Sequence, residues 1–198
     1  TMGHDGETHA SPGCTSHFSV VDREGNMVAV TQTLLSIFGS RVLSQSTGIP
    51  MNNGIMWFDP EPGKPNSLAP GQPCLMNICP AIIRDETGGF AVGASGGRKI
   101  LGAVAQLSTM MTDAGMTLAE AFHHPRIDIS GDTLVADAAL PEETLETLAA
   151  GHETSVRPNA VYPFAWACPS AVRRVNGMNS GCTEIMSPWA DAISEDDV

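Results

Sequence analysis

Between Phe38 and Cys79, Gly39, Gly48, Gly54, Gly63 and Gly71 alternate with Pro50, Pro60, Pro62, Pro65, Pro70 and Pro73. Neither a helix nor a central strand survives that density of chain breakers. The regular elements must therefore form on either side of a loop-rich stretch of about forty residues. Loops of this length commonly shape a ligand site.

The flanks carry clear periods. His17–Asp22 (HFSVVD) and Met27–Thr33 (MVAVTQT) are β-branched runs around Arg23-Glu24-Gly25-Asn26, whose Gly-Asn pair tolerates the positive φ of a tight reversal. They predict an antiparallel hairpin. A second hairpin is expected from Ala81–Arg84 and Phe90–Ala94 around residues 85–89. It leads through Ser95-Gly96-Gly97 into a helix over 98–111, with Ile100, Leu101, Val104, Leu107 and Met111 at helical spacing. A short helix over 118–123 stops ahead of Pro125, and another starts at Pro141, with Glu142 and Glu143 where the helix dipole favours anions. Thr133–Ala136 and Ser170–Val175 are further strand candidates. Strand pairs followed by helices and later strands point to an α+β or layered α/β/β/α fold, not a doubly wound parallel sheet.

Length and charge narrow the function classes. A chain of 198 residues with 42% hydrophobic residues suffices for one folded domain. Acids outnumber bases 22 to 10, and Lys64 and Lys99 are the only lysines, which is unsuited to a phosphate backbone and argues against a nucleic-acid partner. No apolar run approaches the roughly 18 to 20 residues of a membrane span, so a soluble chain is expected. Cys14, Cys74, Cys79, Cys168 and Cys182 are odd in number and show no C-x-x-C spacing, which disfavours a zinc site or a disulfide framework.

Thr15 directly precedes the first strand. A threonine hydroxyl is a weak nucleophile, but it becomes competent when its own free α-amine, with a reference pKa of about 7.7 to 8.0, takes the proton. That needs the preceding peptide bond to be cut. For an arbitrary threonine before a β-run, starting the strand is explanation enough.

The segments T-S-H-F-S-V-V-D-R-E-G-N, T-Q-T-L-L-S-x-F-G, T-G-I-x-M-N-N, P-x-P-G-K-P-N and G-A-S-G-G, taken together, resemble the small catalytic subunit of the γ-glutamyltranspeptidase family over about Thr15 to Val175. The resemblance implies an N-terminal-nucleophile hydrolase, made as one precursor that cleaves itself before a threonine. It implies a four-layer α/β/β/α sandwich completed by a larger partner subunit from the same precursor, a small amide substrate, and no cofactor or metal. On this reading residues 1–14 are a precursor linker, 15–190 the catalytic domain and 191–198 an acidic tail. Thr15 matches the nucleophile, and Ser16 and His17 the positions after it. Thr33 matches a threonine that orients the nucleophile. Gly96 and Gly97 match the paired glycines whose N–H groups form the oxyanion hole, a role suited to unobstructed donors at the head of a helix.

The substrate positions depart from the family pattern. Glutamyl-transferring relatives place an Asn two residues after the orienting threonine, and an N-N-x-M-D-D-F stretch supplies a polar residue and an Asp for the substrate's α-amino group. Here those places hold Leu35, Gly54 and Trp57, beside Asn53. The paired serines that bind the α-carboxylate fall at Met76 and Asn77. The expectation is amide chemistry on a different, less polar acyl group, with hydrolysis favoured over transfer and cephalosporin-acylase-like activity as one form. A true γ-glutamyl transferase, with contacts restored by the larger subunit, is the alternative.

Other readings of the residues stand beside this one. Thr1 is a second possible nucleophile, since a chain starting with Thr resembles a processed product. Gly93-Ala94-Ser95-Gly96-Gly97 satisfies G-x-S-x-G between a strand and a helix, with Asp128, Asp137 and His152 following in triad order. A relative that kept the fold and lost turnover is a third. His4, Asp5, Glu7 and His9 form a weak metal candidate, and His123-His124 fit a helix end. Trp57, Phe58, Tyr162, Phe164 and Trp166 suit an apolar pocket or ordinary core burial equally.

Overall fold

In β1 (Ser16–Val21) every second side chain is sheltered: His17, Ser19 and Val21 point inward, while Ser16, Phe18 and Val20 stay exposed. The strand pairs with β2 (Met27–Gln32) in a two-stranded sheet. At the turn Gly25 alone takes a positive φ, of 89°. Asn26 instead binds Asp22, through its backbone N–H at 2.8 Å and its side-chain amide at 2.6 Å. The structure, a computed structural model, describes residues 14–161 and 165–195. These fall into two compact units. One comprises the described residues up to Thr15 with Gln32–Met76, and the other those of Ser16–Thr31 with Asn77–Val198.

The first unit is the Gly/Pro-rich stretch. Its only helical piece is a 3-10 turn, Gly54–Trp57, and its chain is tied by isolated bridges between Leu43 and Pro50 and between Asp59 and Ser67. Backbone groups there bond irregularly, as breaker-rich sequence demands.

The second unit is layered. The hairpin of β3 (Ala81–Asp85) and β4 (Gly88–Ser95) is antiparallel, with Ala81 opposite Val92 and Asp85 opposite Gly88. β4 also pairs antiparallel with β8 (Cys168–Val175), which pairs with β9 (Met178–Thr183), giving the order β3-β4-β8-β9. β4 is buried on both faces. Phe90, Val92 and Ala94 face α1 (Lys99–Thr112) and α2 (Leu118–His123), packing against Ile100, Val104, Leu107, Met111, Leu118 and Phe122. The opposite face receives β1, which also lies along β8. Each large apolar side chain so buried contributes about 1.5 to 3 kcal/mol. α2 begins with a reciprocal cap between Thr117 and Glu120 and ends before Pro125.

A smaller sheet joins β5 (Ile127–Asp128), β6 (Leu134–Asp137) and β7 (Thr154–Arg157). β5 runs antiparallel to β6, and β7 parallel to it after α3 (Glu142–Gly151). The α+β class expected from the sequence is what forms. β5, β7 and β9 lay outside the sequence expectation, because two residues, a mixed TSVR run and the polar MNSGCT carry no usable period. No helix among the described residues is long and apolar enough to cross a membrane.

Candidate active site

Thr15 sits at the end of the chain segment that enters β1. Its hydroxyl donates to Thr33 Oγ1 at 3.1 Å, and the same oxygen accepts the Leu35 backbone N–H at 2.9 Å. Thr33 is thus fixed from its own loop and presents an acceptor to Thr15. Cys14 is anchored alongside, its thiol donating to the Ser36 carbonyl at 3.1 Å. Leu35 turns its N–H back to Thr33 by adopting a φ of 71°. A side chain with a Cβ pays roughly 1 to 2 kcal/mol for that conformation, and Asn tolerates it better than Leu.

The remaining first-unit candidates form a second group. Asn53 spends its side chain on the loop: its Oδ1 accepts Ser36 N at 3.0 Å and its Nδ2 donates to Ser36 Oγ at 2.8 Å. A Cβ built on Gly54 would stand 3.2 Å from Trp57 Cζ3, so the indole ring occupies the space that a larger residue at 54 would claim. The residues at 54 and 57 are therefore sterically coupled. Asn66 Nδ2 donates to the Trp57 carbonyl at 2.6 Å and holds that turn. Met76 is exposed in the same unit.

In the second unit, Gly96 and Gly97 join β4 to α1 with φ of 134° and 63°. Their carbonyls accept the N–H groups of Lys99 and Ile100, both at 3.3 Å. Space differs sharply between them. A Cβ on Gly96 would lie 2.7 Å from the Ala167 Cα, whereas on Gly97 the nearest atom is Asn77 Nδ2 at 4.0 Å. Asn77 thus stands beside the open glycine. Gly96→Ala is expected to destabilise the fold by about 2 to 3 kcal/mol, and Gly97→Ala by only about 1 kcal/mol, as urea denaturation would show.

His17 is the residue whose surroundings sequence reasoning missed. Its Nδ1 lies 2.7 Å from Thr31 Oγ1 and its Nε2 2.9 Å from Ser19 Oγ. Its ring fills the space above Gly93, where any Cβ would overlap it. No local pattern signals a contact across 76 positions (93 − 17). Burial pulls its pKa from the ordinary 6.5 to about 4. The unfolded chain then takes up a proton between pH 6.5 and 4 that the folded chain refuses, so stability falls as pH drops through that window. The ring is only half-buried, and solvent screening reduces the loss to about 1 to 2 kcal/mol. Urea melts at pH 7 and pH 4.5 are expected to show that excess loss in the native chain and not in His17→Gln.

The Ser95 alternative finds a different context. Ser95 does stand at a strand-to-helix turn, but its strand has antiparallel neighbours on both sides, not the parallel neighbours of an α/β-hydrolase sheet. Asp128 is engaged by Ser130 and Asp137 by Ala139 N, and His152 is exposed at the end of α3. His123 Nδ1 lies 2.8 Å from the Ala119 carbonyl in the last turn of α2, in keeping with a helix-end role. Among the described residues no three His, Cys, Asp or Glu side chains group as a metal site. Thr1, His4, Asp5, Glu7, His9, Tyr162 and Phe164 lie outside the described residues.

A family model described as gamma-glutamyltranspeptidase matches residues 2–187. The chain belongs to the gamma-glutamyltranspeptidase family. The acylase ACY 1 proenzyme of Pseudomonas sp. strain V22 is 34% identical over 146 residues, covering 73% of this chain and 26% of that protein. The glutathione hydrolase proenzyme of Escherichia coli strain K12 is 33% identical over 149 residues, covering 69% and 26%. This chain thus spans about a quarter of the length of those two curated relatives. Among solved structures, the gamma-glutamyltranspeptidase from Pseudomonas nitroreducens complexed with L-DON shares the fold, with a TM-score of 0.71 at 22% identity over 90% of this chain and 99% of that one. Within the gamma-glutamyltranspeptidase family, the two named relatives carry proenzyme names, one of acylase and one of glutathione hydrolase type.

Proposed function

We propose that this chain is the catalytic part of an autoprocessed threonine-nucleophile amidohydrolase whose acyl pocket has been altered away from glutamyl. The observation that carries the reading is the Thr15–Thr33–Leu35 hydrogen-bond relay. With the Cys14–Thr15 bond intact, the Thr15 nitrogen is an amide without basicity, and Thr33 Oγ1 orients the hydroxyl for attack on the Cys14 carbonyl. An N-to-O acyl shift gives an ester, and its hydrolysis frees the Thr15 amine. That amine then accepts the hydroxyl proton as Thr15 Oγ attacks an amide substrate. Gly96 and Gly97 N–H groups hold the developing oxyanion, and such donors are typically worth roughly 3 to 4 kcal/mol of barrier. Water releases the acyl group. No step requires a metal or cofactor.

A larger subunit from the same precursor completes the four-layer sandwich and the pocket. Exposed apolar side chains on the outer face of the β1-β2 hairpin, Phe18, Val20 and Val28, support this, as does the proenzyme naming of the relatives. In domain terms 1–14 is linker, 15–190 the catalytic domain and 191–198 the tail. Intact-mass analysis of the purified, co-expressed full-length protein tests the reading. A small-subunit fragment starting at Thr15 is expected; a fragment starting at Thr1, or uncut chain that still turns over substrate, overturns it.

A further inference from the structure

At the first turn of α1, Lys99, Gln106, Arg126, Asp128, Trp166 and Ala167 help wall a cavity of about 10 Å³. Two of these residues bring buried donors. Arg126 is 5% exposed and Trp166 7%. Arg126 Nη2 donates to Glu184 Oε2 at 2.5 Å, and Glu184 Oε1 accepts Asn159 Nδ2 at 2.9 Å. Arg126 Nη1 and Trp166 Nε1 are left as the buried side-chain polar atoms without a hydrogen-bond partner among the described residues. A buried N–H without an acceptor is costly, and native folds rarely leave one unmet.

The occupant of this cavity must accept hydrogen bonds and be the size of one heavy atom. A space of roughly 10 to 15 Å³ is what one water needs, together with two to four polar partners. Charge selects between water and a halide. Glu184 neutralises Arg126, and the wall holds Asp128 as well as Lys99, so no surplus positive charge offsets the dehydration of an anion. A carboxylate in the wall repels an anion and accepts from water.

We propose that this cavity is a built site for a single water molecule, which accepts from Arg126 Nη1 and Trp166 Nε1. The water fixes the chain at Trp166–Ala167, where Lys99 Nζ already donates to the Ala165 carbonyl at 2.5 Å. Ala167 is the residue that backs Gly96. Arg126 and Trp166 are thereby positioning residues for the Gly96–Gly97 turn. The occupancy stands by itself, whereas the positioning role rests on reading that turn as the oxyanion donor.

The test uses the full-length protein labelled with 15N at tryptophan, the Trp166 indole signal being the one lost in Trp166→Phe. That N–H is expected to show cross-relaxation with a bound water and to exchange with deuterium at least a hundredfold more slowly than the indole of exposed Trp189. Absence of the water cross-peak overturns the site, and an indole shift that saturates with added bromide overturns the choice of water. For positioning, Arg126→Lys keeps a cation beside Glu184 while removing Nη1. It and Trp166→Phe are expected to lower kcat three- to tenfold at unchanged KM. A change confined to KM, or none, overturns the positioning role. The NMR result needs no turnover, so it separates failure of the water site from failure of the proposed activity.

Discussion

Thr15→Ala is expected to leave the 14–15 bond uncut and to remove substrate turnover, a loss of at least about 10⁴-fold, comparable with deleting the nucleophile of other covalent hydrolases. Gel analysis and acyl-amide assays of the co-expressed protein check it. The expectation follows from economy of groups. The Thr15 hydroxyl, the Leu35 N–H and the Cys14 thiol converge on Thr33 Oγ1 in the folded chain, and no other described serine or threonine beside a β-strand entry is held in that way. Thr15→Ser preserves the hydroxyl and the relay to Thr33 and is expected to retain cleavage. Thr33→Val removes the acceptor but not the nucleophile. The lost orientation is worth about one hydrogen bond, so cleavage is expected to slow roughly tenfold and not to stop. A Thr15→Ala protein that is cut normally would transfer the role elsewhere, and Ser95→Ala, assayed in parallel, would show whether the G-x-S-x-G serine carries it.

How much of this chain is legible in its sequence varies with the range of the interactions involved. Both hairpins, α1 and α2 follow from periods of two and 3.6 within short windows, and α2 ends where Pro125 must end a helix. The roles proposed for Thr15 and Thr33 rest on motif order alone. Neither hydrophobic period nor composition distinguishes a nucleophile from a strand-starting threonine. β9 escaped because an edge strand facing solvent need not be apolar. Non-local fits were beyond reach as well. The need for glycine at 93 is set by a ring at position 17, and the need for glycine at 96 by backbone at position 167. The Arg126–Glu184 pair joins residues 58 apart, each buried only because the other is present.

A γ-glutamyl anilide is expected to be turned over about 10 to 10³ times more slowly than an anilide of an apolar acyl group of similar length. A free α-ammonium group gains affinity in a desolvated pocket only when a carboxylate meets it, and leaving such a charge unpaired costs on the order of 3 to 5 kcal/mol. Trp57 returns part of this through its ring face, about 0.5 to 2 kcal/mol, which leaves the deficit stated. Gly54 makes the change hard to reverse at one position, since its missing side chain is what admits the indole. The double variant Leu35→Asn/Trp57→Asp is therefore the informative one. Asn at 35 accepts the positive φ that Leu bears under strain, so the Leu35 N–H can stay on Thr33 Oγ1 and the nucleophile keep its orientation. Asp at 57 restores the anion and clears the ring from Gly54. Glutamyl turnover is expected to rise at least tenfold and apolar-acyl turnover to fall. Wild-type turnover of the glutamyl anilide at a rate equal to the best apolar substrate would mean that residues of the larger subunit, and not Leu35, Gly54 and Trp57, define the acyl site.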